Sequence, residues 1–264
     1  MSYNISRAIF VVKENNMASS GGQLIYGMRP VIEALEAGIE LDKLFVLRGG
    51  RSPQSNQLLK LAREAGIPVQ YVPEEKLNRL TRQNHQGVVA YTASVSYQKI
   101  ASLLPMIFEA GIDPFVIILD HITDVRNLGA IARTAEASGA HAIVIPSRGG
   151  ALVNADAIKT SAGALTRMNV CREDNLHSTA DYLKESGLKL VAINEKADEV
   201  LWNADLKGPL AFILGAEDTG ISKSLLDRAD VSVKIPMSGN IASLNVSVAA
   251  GMACYELLRQ KETT

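Results

Sequence analysis

Four short apolar runs constrain this chain more than any other feature: FVIIL at 115–119, HAIVIP at 141–146, LKLVAIN at 188–194 and PLAFILG at 209–215. A strand that is apolar at successive positions has neither face in water, which is the pattern of a parallel sheet covered on both sides. The intervening stretches have helical spacing or helix-stop signals, as in LGAIARTAEASG, which stops at Gly139, and STADYLKESG, which stops at Gly187. Strands that alternate with helices in this way need crossover connections. The fold class is therefore α/β, with a mostly parallel sheet over residues 114–264.

The preceding residues carry a second, smaller alternation. Residues 26–37 give a helix ending at Gly38, 44–48 a strand, QSNQLLKLAREAG a helix, IPVQYV a strand, PEEKLNRLTR a helix opening at Pro73, and VVAYTASV a strand. This is a small α/β domain over residues 23–97, preceded by a partly disordered leader, 1–22, and followed by a linker helix, 98–113. The formal net charge of −1 gives no overall pull on nucleic acid, so any RNA contact has to come from local basic patches. Arg48, Arg51, Arg79 and Arg82, with His85 beside them, fall in loops or near helix ends and offer such a patch. A solvated surface pattern is the competing reading, and His85 fits a hydrogen-bonded turn equally well. Cys171 and Cys254 lack metal-ligand spacing and read as buried free thiols. With no signal peptide and no apolar run long enough to span a bilayer, the sequence reads as cytoplasmic.

Ligands of open α/β sheets collect where strand C-termini meet the following helices. Three such connections carry polar chemistry: Asp120 to Arg133, Gly215 to Ser222, and Pro236 to Asn245. The first has one glycine, Gly129, and no G-x-G-x-x-G, which argues against a nicotinamide dehydrogenase. It pairs Asn127 with Arg133, and a cation among Ala and Ile there is expected to be buried and to need an anion. The second displays Glu217 between Gly215 and Gly220. The third runs as a polar loop into the helical run Val246, Ala249, Ala250, Ala253 and Leu257, with Ser243 as the expected N-cap and Asn245 in the first turn.

The stretches NLGAIARTAEASGAHAIVIP, FILGAEDTGIS and KIPMSGNIASLNVSVAAGMACYELLRQ resemble, in order and spacing, the three motifs of the SpoU (TrmH-type) RNA ribose 2′-O-methyltransferases. YGMRPVIEAL and NHQGVVA are similar to the ends of the ribosomal-protein-like RNA-binding domain of the 23S rRNA guanosine-2′-O-methyltransferase subgroup. Two positions depart from the pattern: Val125 and Arg126 stand where Pro-His is usual, and Asp218 where glycine is frequent. Asp tolerates positive φ better than most residues, so the second-motif turn is expected to survive.

The resemblance implies a trefoil knot in the C-terminal domain and S-adenosylmethionine bound there by Gly215, Ile235, Met237 and Leu244. It implies methyl transfer to a ribose 2′-hydroxyl, with Arg133 as the main catalytic group and Asn127, Glu217, Ser243 and Asn245 orienting it and the substrate. No metal is required. RNA contacts are expected from Arg48, Arg51, Arg82 and His85, and a homodimer is expected to pack through the knot, both protomers contributing to each site. A guanosine of 23S rRNA is the leading substrate. The alternatives are a tRNA ribose 2′-O-methyltransferase and a catalytically inactive RNA-binding assembly factor.

Overall fold

The computed structural model of the chain describes residues 22–49, 52–239 and 243–263. The expected leader therefore lies almost wholly outside the described residues, as does Arg51. The chain divides into two compact units that meet in sequence between Ser96 and Tyr97.

The smaller unit is a four-stranded sheet of β1 (Leu24–Tyr26), β2 (Leu41–Leu47), β3 (Val69–Val72) and β4 (Val88–Thr92), in the order β1-β4-β2-β3. β4 runs antiparallel to β1 and β2, and β3 is parallel to β2. Alternation along β2 sends Leu44 and Val46 to one face and Phe45 to the other. The first face packs on α1 (Met28–Glu36) and α2 (Pro53–Glu64) through Val31, Leu58 and Ala62. The second packs on α3 (Glu74–Leu80) through Leu77. α2 begins where Ser52 and Ser55 cap each other and Pro53 supplies a pre-set φ.

The larger unit is an eight-stranded parallel sheet. Its strands are β5 (Tyr97–Gln98), β6 (Phe115–Asp120), β7 (Ala142–Pro146), β8 (Asn169–Glu173), β9 (Lys189–Ile193), β10 (Glu199–Val200), β11 (Leu210–Gly215) and β12 (Val231–Lys234). They lie in the order β10-β12-β9-β11-β6-β7-β8-β5. Every residue of β6 is buried, as the apolar run requires. The segment expected to be a linker, 98–113, is integral to this unit. Tyr97 and Gln98 pair with β8 at the sheet edge, and α4 (Ile100–Glu109) buries Ile100, Leu103, Leu104 and Ile107 in the core.

The chain steps outward from β6 through β7 to β8. β9 then forms on the far side of β6, and β11 occupies the gap between them. That reversal leaves a crevice at the strand C-termini beside β6 and β11, where Asp120 and Gly215 are register partners. α5 (Val125–Ala137) leads away from β6, and the long α10 (Val246–Glu262) follows β12; they pack together where Gly251 meets Thr134. Between them in sequence come α6 (Ala155–Thr160), α7 (Ala164–Arg167), α8 (Leu176–Glu185) and α9 (Lys223–Leu226). The single glycine of the first connection serves packing. A Cβ on Gly129 would lie 2.6 Å from the Ala157 carbonyl oxygen, so α5 reaches α6 only without a side chain there. Among the described residues no helix is long and apolar enough to cross a membrane.

Candidate active site

Glu217 lies in a tight loop between β11 and α9. The loop closes on itself: Gly220 N–H donates to the Ala216 carbonyl at 2.8 Å, and Gly220 takes the left-handed φ of +69°. Asp218, the residue expected to need that conformation, does not have positive φ. Its carboxylate accepts the Thr219 N–H at 2.9 Å instead. Gly215 is the hinge of this arrangement, because an added Cβ would lie 2.2 Å from the Gly220 carbonyl carbon.

A buried carboxylate that the sequence reading passed over fixes the far end of the loop. Asp120 closes β6 with its side chain 4% exposed, and its Oδ2 accepts the Ser222 N–H at 2.7 Å while Oδ1 lies 2.7 Å from His121 Nδ1. An acid ending an otherwise apolar strand is the signal that marks it, since such a group is retained only where donors satisfy it.

The loop delivers Glu217 to the N-terminus of α10. Its Oε1 accepts from Asn127 Nδ2 at 3.1 Å, from Val246 N–H at 3.3 Å and from Asn245 Nδ2. Asn245 Nδ2 also lies 3.0 Å from Asn127 Oδ1. Ser247 settles the orientation of the Asn245 amide, because its N–H donates to Asn245 Oδ1 at 2.9 Å. Ser247 too was missed by the sequence reading. The carboxylate sits at the N-terminus of a 17-residue helix, where the free backbone N–H groups point toward an acceptor. Among the described residues only Oε1 is engaged, which leaves Oε2 as a free acceptor.

Beside this cluster the ends of β9 and β12 and the start of α10 line a cleft. Ile235, Met237, Ser243 and Leu244, all singled out from sequence, form one part of it, and Ile193, Asn194, Glu195 and Ala249 form the rest. Ser243 does not cap α10 as expected. The helix starts two residues later, and Asn245, whose side chain accepts the Ser247 N–H, is the cap. Asn194 is held by its own N–H on the Val233 carbonyl at 2.9 Å and turns the chain by accepting the Lys196 N–H at 3.1 Å.

Other expected positions fall elsewhere. Arg133 is exposed rather than buried, with no hydrogen bond or ion pair among the described residues, and within one chain it does not join the Asn127–Glu217–Asn245 cluster. Six residues carry the helix 240° round and about 9 Å along, so Asn127 faces α10 and Arg133 faces away. Arg48, Arg79 and Arg82 are exposed on the smaller unit. His85 is buried, its Nε2 3.1 Å from Asn78 Oδ1 and its Nδ1 accepting the Gly87 N–H at 3.0 Å. With both ring nitrogens occupied, it braces the turn and is not free to touch phosphate. Among the described residues no cluster of His, Cys, Asp or Glu could hold a metal ion.

Residues 114–255 match the model of the SpoU rRNA Methylase family. The chain belongs to that family. Residues 24–98 match the model for RNA 2′-O ribose methyltransferase substrate binding. YacO of Bacillus subtilis (strain 168), assigned to the TrmH family of tRNA/rRNA methyltransferases, is 38% identical over 237 residues, 90% of this chain and 95% of YacO. The crystal structure of the SpoU methyltransferase AviRb from Streptomyces viridochromogenes with the cofactor AdoMet superposes with a TM-score of 0.59 at 25% identity, covering 98% of each chain. A structure described for 2-OH methylation of C/U34 on tRNA covers 99% of its own chain but 58% of this one, with a TM-score of 0.53 at 25% identity. As a SpoU family member the protein is an RNA 2′-O-ribose methyltransferase that uses S-adenosylmethionine.

The cleft suits that cofactor. Ile193, Ile235, Met237, Leu244 and Ala249 offer an apolar wall for adenine and the methionine chain, and Asn194, Glu195 and Ser243 supply polar groups at its edge.

Proposed function

We propose that the enzyme methylates the ribose 2′-hydroxyl of a guanosine in 23S rRNA. The observation that carries the methyl-transfer reading is the Glu217 cluster, in which two distant segments of chain fix one carboxylate oxygen and, among the described residues, leave the other free beside the cleft. The bound cofactor supplies an electrophilic methyl on a sulfonium, so the protein's task is alignment and removal of one proton. Gly215, Ile235, Met237 and Leu244 hold the cofactor. Glu217 Oε2 accepts a substrate hydroxyl, and Asn127, Asn245 and Ser243 orient it. Arg133 stabilises the developing 2′-oxyanion or the neighbouring phosphate.

Arg133 faces away from the cluster of its own chain, which supports a site completed by a second protomer. α10 gives that second protomer a docking face. Val248, Met252 and Tyr255 recur at i, i+4 and i+7 on its exposed side, and Tyr255 is 69% exposed. A homodimer through α10 covers this stripe and brings Arg133 to its partner's Glu217. Threading of the C-terminal segment into a trefoil knot belongs to the same reading, as does action in the cytoplasm. The substrate-binding unit favours rRNA over tRNA, because a tRNA-acting neighbour spans too little of this chain to include both units. Arg48 and Arg82 make its phosphate contacts.

Purified enzyme, S-adenosylmethionine and either 23S rRNA or bulk tRNA test this directly. We expect one 2′-O-methylguanosine in 23S rRNA and none in tRNA. Methylation of tRNA alone overturns the substrate assignment, and methylation of neither RNA supports the inactive assembly factor.

A further inference from the structure

Arg126 breaks a local rule. It is the second residue of α5, where the helix dipole is positive and a cation is disfavoured, and no acidic residue sits in that first turn to offset it. The Asp124 carboxylate beside it is directed to the backbone, accepting the Arg126 N–H at 2.7 Å. The side chain is exposed and has no ion pair among the described residues. Several basic side chains of this unit are paired, among them Arg167 with Glu136, Lys184 with Asp230, Lys189 with Asp205 and Arg228 with Asp181, while Arg148, Lys159 and Lys223, like Arg126, make no ion pair among the described residues. Departures of this kind cluster where a ligand supplies the missing charge.

The partner of Arg126 in this pattern is Arg133. Seven residues apart, the two lie within about 20° on one face of the helix and about 10 Å apart along it. Ala130 and Ala137 lie on the same face, and the flanking faces are taken: Thr134 meets Gly251 of α10, and Gly129 meets α6. The result is a narrow stripe of two guanidinium groups, neither of them paired among the described residues, with Ala130 between them. Its length matches the rise of roughly three stacked nucleotides of one strand.

Resting on the methyltransferase reading above, we propose that Arg126 is a phosphate clamp for the substrate RNA. The strand lies along the exposed face of α5, with one phosphate on Arg126, and the target ribose about three nucleotides away is delivered to Arg133. Arg126 is a positioning residue. It touches the substrate backbone and takes no part in methyl transfer.

The test compares Arg126→Gln, Arg126→Lys and the wild type as full chains. Fluorescence anisotropy with a short, mixed-sequence single-stranded RNA reads affinity and its salt dependence. Calorimetry with S-adenosylmethionine reads the cofactor site. We expect Arg126→Gln to bind RNA about three- to tenfold more weakly, with a salt slope shallower by roughly 0.7, and Arg126→Lys to stay near wild type. On the methylated RNA, KM should rise by the same factor while kcat at saturating RNA and cofactor affinity stay unchanged. Unchanged RNA affinity and salt slope in Arg126→Gln overturn the proposal, and so does a fall in kcat at constant KM. If the wild type transfers no methyl at all, the enzymatic reading fails, yet the binding arm still decides whether Arg126 holds RNA.

Discussion

At Gly215 an added methyl group would meet the carbonyl carbon of Gly220 at 2.2 Å and the Ile221 nitrogen at 2.3 Å, both backbone atoms that no rotamer change can move. Gly215→Ala should therefore lower stability by about 1–3 kcal/mol, read by urea unfolding, and should also displace Glu217 and abolish methyl transfer. Arg133 answers to a different logic. Because it is exposed and makes no ion pair or hydrogen bond among the described residues, Arg133→Ala and Arg133→Lys should leave the melting temperature and cofactor affinity unchanged. Single-turnover methyl transfer should fall by about a hundredfold or more in both, since Lys keeps the charge but not the planar fork. A near-wild-type rate for Arg133→Ala would remove it from the chemistry. The sequence pointed to Asn127, Glu217 and Asn245 through their place at strand ends, misjudged the setting of Arg133, and left His85 open between a phosphate contact and the hydrogen-bonded turn that the structure has. In an Ala-rich helix many residues are too small to mark one face as buried, so the orientation of Arg133 was not legible. His85 is buried by hydrogen bonds to a side-chain amide and a turn N–H, a pattern with no periodic trace.

Among the elements, α10 does the most. One side buries Val246, Ala250, Ala253 and Leu257, its start caps onto Glu217, and its outer side presents Val248, Met252 and Tyr255. The inner face was legible, because apolar residues at helical spacing specify a buried stripe whatever covers it. The cap was not: Ser243 and Asn245 are both good N-caps, and the choice depends on where Glu217 places its carboxylate. If the outer stripe is the dimer face, Met252→Glu should convert dimer to monomer in light scattering while leaving cofactor-site residues untouched. Methyl transfer should fall with it, because each Glu217 would lose its partner's Arg133. A Met252→Glu protein that remains a dimer would move the interface elsewhere.

For the whole molecule, the alternation of apolar runs and helices was enough to foresee two α/β units and a parallel sheet. Strand order was not foreseeable, because nothing local records that β11 enters between β6 and β9. Strands of two or three residues, β1, β5 and β10, are too short to show a period, and without β5 the following helix α4 read as a linker. Since the break lies between Ser96 and Tyr97, a chain beginning at Tyr97 keeps the complete eight-stranded sheet. We expect it to fold, to bind S-adenosylmethionine with wild-type affinity and to lose affinity for RNA. Unchanged methylation efficiency in that truncated protein would rule out a substrate-recognition role for the smaller unit. One oxygen of Glu217 gathers donors from Asn127, Asn245 and Val246, which lie 90, 28 and 29 positions away in sequence. None of these contacts is local, so nothing anchors the carboxylate until the strands and helices that carry its donors have come together. Order at this centre is thus a property of the assembled sheet, and a partly unfolded molecule has no working centre with which to modify RNA.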